Sequence, residues 1–205
     1  MQILRPRGLA SSRAFALSQM GNNPAYAKPY GISAAPWLGS FKGTGDTINL
    51  MLKYARGPEG EQNAKVRQWA ESIVRLIQPK DYLSEILGLR HWATGPSLRY
   101  TNDARHVEQV KTPFRIMSEV EQYGVSLVDC DDIATLLATL GMCLGREARW
   151  TMAGFDTSGT EYTHVFCGLR EPRSSKWIVC DPVAGTREME MLRAIKRYEH
   201  VSVDD

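Results

Sequence analysis

The sequence has no apolar run approaching the roughly 20 residues needed to cross a bilayer. Its N-terminus also lacks the continuous apolar segment of a secretory signal, so we expect a soluble protein that does not act at a membrane. Cysteine is scarce, and its spacing gives no CxxC pair and no zinc-ribbon pattern. Reduced thiols in a cytosolic setting are therefore expected for the four cysteines, Cys130, Cys143, Cys167 and Cys180.

Acidic residues are absent from residues 1–45, which carry five basic residues and four of the ten prolines. This segment has a charge of +5, and the net charge of +2 leaves −3 for the remainder. We predict an extended basic N-terminal arm over 1–45 and one domain over 46–205. Such a segment has three interpretations. It is a disordered tail, a segment that becomes ordered on an acidic partner or neighbouring subunit, or an organelle transit peptide. Nucleic-acid binding is not expected, because the basic residues form no stripe.

The domain changes character along its length, from helical periodicity to alternation. Apolar residues at helical spacing predict three helices before any longer strand, at Asp46–Ala55, Gln62–Gln78 and Asp81–Trp92. A short strand over Ser97–Thr101 and a helix from Thr112 to Gly124 come next. Alternating residues then predict antiparallel strands, so the fold class is α+β, with N-terminal helices packed on an antiparallel sheet. The strands are Ala148–Phe155, Tyr162–Leu169 and Trp177–Cys180.

A cysteine among acids stands where a polar turn becomes an apolar helix. The residues after Cys130 show a buried helical face and a stop at Gly141, which places the cysteine at a helix N-terminus. Unpaired N–H groups there favour the thiolate, the form that attacks carbonyl carbon. The neighbouring aspartates suit a cap and first turn but oppose the thiolate, so a cationic histidine is needed. The apolar face is formed by Ile133, Leu136, Leu137 and Leu140.

Pairing of the last two strands places a histidine beside an aspartate. A four-residue turn at Glu171–Ser174 would set Arg170 opposite Ser175, and hence His164 opposite Asp181. Cys130, His164 and Asp181 would then supply nucleophile, general base and orienting carboxylate for acyl transfer. The N–H of Cys130 is one expected oxyanion donor. The candidates for a second donor are Trp92 and Tyr100.

Four segments together resemble the transglutaminase-like superfamily of papain-like cysteine enzymes, in its bacterial and phage DCDD-type members. They are DCDD at 129–132, THVF at 163–166, WIVCDP at 177–182 and LRYTNDARHVEQVKTP at 98–113. The resemblance covers roughly 46–185. It implies a papain-like core and places Cys130, His164 and Asp181 on the triad.

The resemblance implies a cysteine protease or transglutaminase-like acyltransferase acting on peptide or protein amide bonds. One subgroup binds calcium through acids beside the nucleophile, which Asp129 and Asp132 match, although Leu127 replaces a further acid. Solvation of the first helical turn also explains such acids. A metal site built from Cys130, His164 and Asp181 themselves is an alternative hypothesis, but these residues depart from the usual ligand spacing, which favours the triad.

The resemblance also implies a second reading, a structural or assembly component of a phage head, tail or baseplate. Its triad would be idle or used only in maturation, and residues 1–45 would contact phage structural proteins. The expected location is the cytoplasm, or a phage virion in this second reading.

Overall fold

The computed structural model describes residues 32–36, 41–102, 107–156, 162–183 and 188–204. The helices are α1 (Phe41–Arg56), α2 (Ala64–Val74), α3 (Tyr82–Ala93), α4 (Pro113–Tyr123), α5 (Cys130–Cys143) and α6 (Glu188–Ala194). The strands are β1 (Ile32–Pro36), β2 (Leu98–Tyr100), β3 (Val107–Lys111), β4 (Ser126–Val128), β5 (Ala148–Gly154), β6 (His164–Arg170), β7 (Trp177–Cys180) and β8 (Arg197–Ser202).

Helices lie against an antiparallel four-stranded sheet with strand order β7-β6-β5-β8. Two smaller pairs flank it: β1 with β3 is antiparallel, and β2 with β4 is parallel. The predicted α+β class is therefore confirmed. Among the described residues, no helix is both long enough and apolar enough to span a bilayer.

Helix α5 forms the centre of the core, with every residue after Cys130 buried. It packs on β6, and the indole Nε1 of Trp150 donates to the carbonyl of Ala134 over 3.1 Å. The expected stop at Gly141 is wrong, since the helix continues to Cys143 and Gly145 adopts the left-handed conformation beyond it. Gly141 instead permits close packing, because an added Cβ would overlap the side chain of Leu169.

The pairing of β6 with β7 differs from the prediction by two residues. Arg170 lies opposite Trp177 rather than Ser175. The loop therefore runs over six residues, Glu171–Lys176, and within it the carboxylate of Glu171 accepts the N–H groups of Arg173 and Ser174, at 3.0 and 2.5 Å. A shift of two residues leaves every side chain on its predicted face, whereas a shift of one would invert the faces.

Part of the predicted arm lies within the folded chain. Residues 32–36 form β1 beside β3, and α1 begins at Phe41, so the predicted boundary between 45 and 46 falls inside a helix. The predictions made for residues 1–31 and 37–40 lie outside the described residues. The helix predicted at Gln62–Gln78 is shorter, because α2 ends at Val74.

Candidate active site

The nucleophile candidate is the first residue of α5. Asp129 caps the helix with an extended backbone, and its carboxylate accepts the N–H of Asp132 over 3.3 Å. Cys130 follows the cap, so its own N–H belongs to the first turn, where helical N–H groups have no partner within the helix. Cys130 is partly exposed, whereas Cys143, Cys167 and Cys180 are buried. Solvent therefore reaches this thiol more easily than the other three.

The histidine and the aspartate meet across neighbouring strands. His164 begins β6, and Asp181 follows the last residue of β7. Continuing the observed register sets Asp181 opposite Phe166, so the two residues share a face as diagonal neighbours. Their side chains join through a hydrogen bond of 2.7 Å between His164 Nε2 and Asp181 Oδ2.

Both sides of this pair are held in place. Asp181 is 2% exposed, and its other oxygen, Oδ1, accepts the N–H of Val183 over 3.0 Å. The imidazole of His164 lies near the rings of Phe155 and Phe166, with centroid distances of 6.4 and 5.9 Å. The orientation of the imidazole is thus set by one carboxylate and two aromatic neighbours.

Cys130 is the second side chain that interacts with the imidazole of His164. Because Nε2 faces Asp181, Nδ1 is the ring nitrogen left to accept the thiol proton. Burial lowers the pKa of His164, but the hydrogen bonds to Asp181 and Cys130 and the charges of both outweigh it and raise the pKa to about 9. The arrangement favours an imidazolium paired with negative charge near neutral pH.

The two candidates for a second oxyanion donor differ in position. Tyr100 ends β2, which runs parallel to β4, the strand leading into Cys130. Burial, together with the charges of Cys130 and the nearby aspartates, raises the pKa of Tyr100 to about 12. Its phenol therefore lies within the electrostatic field of the site. Trp92 is a partly buried residue that packs against the apolar core.

Three aspartates cluster in the first turn of α5, one more than the predicted pair. Ligand oxygens of Asp129, Asp131 and Asp132 all lie within 4.8 Å of one another, and all three residues are buried. Asp131 Oδ2 is buried without a hydrogen-bond donor, although Asp131 Oδ1 accepts the N–H of Asp132 over 2.7 Å. Burial, then contact with Asp129 and neighbouring charges, raises the pKa of Asp131 well above its usual range.

This donor set fits a hard cation, since Ca²⁺ takes carboxylate oxygens and the bare Oδ2 needs a positive neighbour or a proton. Asp132 is already engaged, because its Oδ1 accepts the N–H of Lys111 over 2.6 Å. Asp129, Asp131 and Asp132 would hold the ion, which would supply positive charge beside the cap of α5. Asp131 was not among the predicted metal ligands, although its place in the same first turn as Asp132 indicated it.

A buried ion network supports the strand before the nucleophile. The ammonium of Lys111 contacts Glu119 and the carbonyl of Leu127, while Glu119 also pairs with Arg115. Ser126 donates its hydroxyl to Glu119 over 2.6 Å. The network ties α4 and β3 to β4 just before the cap. No local pattern predicts it, since its members come from three separate elements.

No protein-family model matches the sequence, and no curated protein matches it. Among solved structures, a candidate cysteine protease from Cytophaga hutchinsonii is similar to 78% of this chain, with 18% identity and a TM-score of 0.44. The match covers 57% of that protein, so this chain spans less than two thirds of its length. A similarity this distant shows nothing about the chemistry of the site.

Proposed function

We propose that the protein is a thiol-dependent acyl-transfer enzyme acting on peptide or protein amide bonds. The observation that carries the proposal is the position of His164, which bonds Asp181 over 2.7 Å and whose pKa is raised by both Asp181 and Cys130. A nucleophile, a base and an orienting carboxylate near one another are what acyl transfer through a thioester requires. Kinship with the transglutaminase-like superfamily is part of the same proposal.

Acylation begins when the Cys130 thiol gives its proton to His164. The sulfur attacks the amide carbon, a C–S bond forms, and the carbonyl electron pair moves onto oxygen. When this pair returns, the C–N bond breaks and the imidazolium of His164 gives its proton to the departing amine. Asp181 holds the imidazole in one orientation and stabilises its positive charge throughout.

Deacylation reverses the roles. Water, or an amine, gives a proton to His164 and attacks the thioester carbon, after which the C–S bond breaks and the sulfur of Cys130 leaves as thiolate. Hydrolysis and amine transfer use the same three residues. They differ only in which acceptor reaches the acyl-enzyme.

Iodoacetamide tests the proposal without a known substrate. The purified protein is alkylated across a pH series, and each cysteine is followed by peptide mass spectrometry. We expect Cys130 to react fastest and to keep reacting below the pH range of ordinary thiols, since thiolate is the reactive form. Cys143 is an internal control, because burial raises the pKa of its thiol to about 11. His164→Ala should abolish the early reaction, and equal rates at Cys130 and Cys143 would refute the proposal.

A second candidate function is an assembly component of a phage virion, with residues 1–45 reaching a neighbouring subunit. The pairing of β1 with β3 bears on it, because residues 32–36 belong to the folded chain. A truncation test should therefore remove residues 1–31 only. Loss of assembly with the domain still folded would support this function, and normal assembly would remove the role of those residues.

A further inference from the structure

The strand beside the nucleophile places a phenol next to the reacting centre. In the parallel pair of β2 and β4, Tyr100 lies opposite Val128, and the N–H of Thr101 donates to the carbonyl of Val128 over 2.9 Å. Val128 precedes Cys130 by two residues, so Tyr100 lies beside the end of the strand that leads into the nucleophile. Tyr100 is also 46% exposed, so its ring borders solvent as a substrate-contacting group must.

The hydroxyl of Tyr100 is a donor without an assigned task. No hydrogen bond joins it to another described residue, although it interacts electrostatically with Cys130, Asp129, Asp131 and Asp181. Burial and these charges raise the pKa of Tyr100 to about 12, so the phenol carries its proton. A neutral donor beside a thiolate can stabilise new negative charge without adding a competing anion.

We infer that the Tyr100 hydroxyl is the second oxyanion donor, acting with the backbone N–H of Cys130. This inference rests on the proposed function. As the C–S bond forms, the carbonyl electron pair moves onto oxygen, and the resulting oxyanion accepts both hydrogen bonds. When the pair returns and the leaving group departs, the phenol retains its proton, so Tyr100 stabilises charge and transfers none.

This role separates two steps that share the same thiol. Alkylation by iodoacetamide needs the Cys130 thiolate but forms no oxyanion, whereas acylation by an ester needs both. A variant that loses only the phenol should therefore slow the second reaction and spare the first. Tyr100→Phe is that variant, because it keeps the ring and removes a hydroxyl that no described residue binds.

The test uses the full chain and p-nitrophenyl acetate as the acyl probe. The burst of p-nitrophenolate gives the acylation rate, and mass spectrometry locates the acetyl group. In Tyr100→Phe we expect acylation of Cys130 to slow roughly 100- to 1,000-fold, the scale of one lost oxyanion donor. Its alkylation rate and circular dichroism spectrum should match those of the wild type. Tyr82→Phe, which removes a phenol beside Arg146 and Arg173 and outside the site, should leave acylation within about twofold.

The outcomes distinguish failure of this inference from failure of the proposed function. A Tyr100→Phe protein acylated at the wild-type rate overturns the inference while leaving Cys130 and His164 intact. Equal slowing of alkylation and acylation also overturns it, because the phenol would then act on the thiolate and not on the oxyanion. A wild-type Cys130 that is alkylated no faster than Cys143 refutes the proposed function, and the inference with it.

Discussion

Replacing Asp181 by asparagine should release His164 from the charge that keeps it protonated. In the folded protein burial lowers the pKa of His164, and the hydrogen bonds and charges of Asp181 and Cys130 raise it to about 9. The difference from the ordinary value of 6.5 corresponds to roughly 3 kcal/mol of stabilisation of the imidazolium. With the carboxylate gone, burial opposes only the contribution of Cys130, so the pKa of His164 should fall substantially.

Two measurements test how far Asp181 stabilises the protonated form of His164. Nuclear magnetic resonance of histidine imidazoles gives the pKa directly, with His164→Gln identifying the His164 signal among the four histidines. Denaturant unfolding gives the energetic consequence. Because the folded pKa lies above the unfolded one, the stabilisation is complete below 6.5 and is lost as pH rises through about 9. Wild-type protein should therefore lose roughly 3 kcal/mol more between about pH 6 and pH 10 than His164→Gln does.

A His164 that titrates at the same pH in Asp181→Asn and in wild type would refute this prediction. An identical pH dependence of unfolding in wild type and His164→Gln would also contradict it, since the histidine would then add no stability in this range. A fall in the pKa of His164 without change in the circular dichroism spectrum would show that the carboxylate charge, and not the fold around it, keeps the imidazole protonated.

Three further predictions concern packing and buried charge. Gly141→Ala should cost about 1–3 kcal/mol in urea unfolding because its Cβ meets a β6 leucine, whereas Gly45→Ala, in open space, should be neutral or stabilising; equal effects would contradict this account. Glu119→Ala should cost about 3–5 kcal/mol because it removes the carboxylate that Lys111 and the buried Arg115 share, against less than about 1 kcal/mol for the exposed Glu121→Ala; similar losses would refute the distinction. With calcium chelated, Asp131→Asn should raise the melting temperature by removing one of three clustered charges, while added Ca²⁺ should stabilise only the wild type; no wild-type response would exclude the calcium site.

Local signals explain where the sequence-based predictions of the fold succeeded. Thr112 caps α4 through the N–H of Arg115, and Gly124 ends that helix in the left-handed conformation, as the Thr-Pro and Gly residues predict. The α5 start at Cys130 likewise depends on a cap residue and an apolar period contained within one segment. Caps and periodicity act over a few residues, so they can be read without the rest of the chain.

Contacts between distant segments explain the corrections. The β6–β7 loop is two residues longer than predicted, which shifts the strand register, although the even shift keeps His164 and Asp181 on one face. Gly141 was predicted to end the helix, whereas in the structure it makes room for the side chain of Leu169. Neither effect is contained in a local pattern, because each depends on how a particular loop or strand approaches.

The sequence by itself determined the order of elements and the residues that could react: a cysteine at a helix start, then a histidine and an aspartate on successive strands. Tertiary structure alone decided their separations, including the 2.7 Å bond of His164 to Asp181, and paired the strand of Tyr100 with the one that leads into Cys130. It also decided that Asp131 is buried with a bare oxygen. The physical reason is that periodicity and capping are local, whereas proximity, burial and the resulting pKa shifts arise only when distant segments pack together.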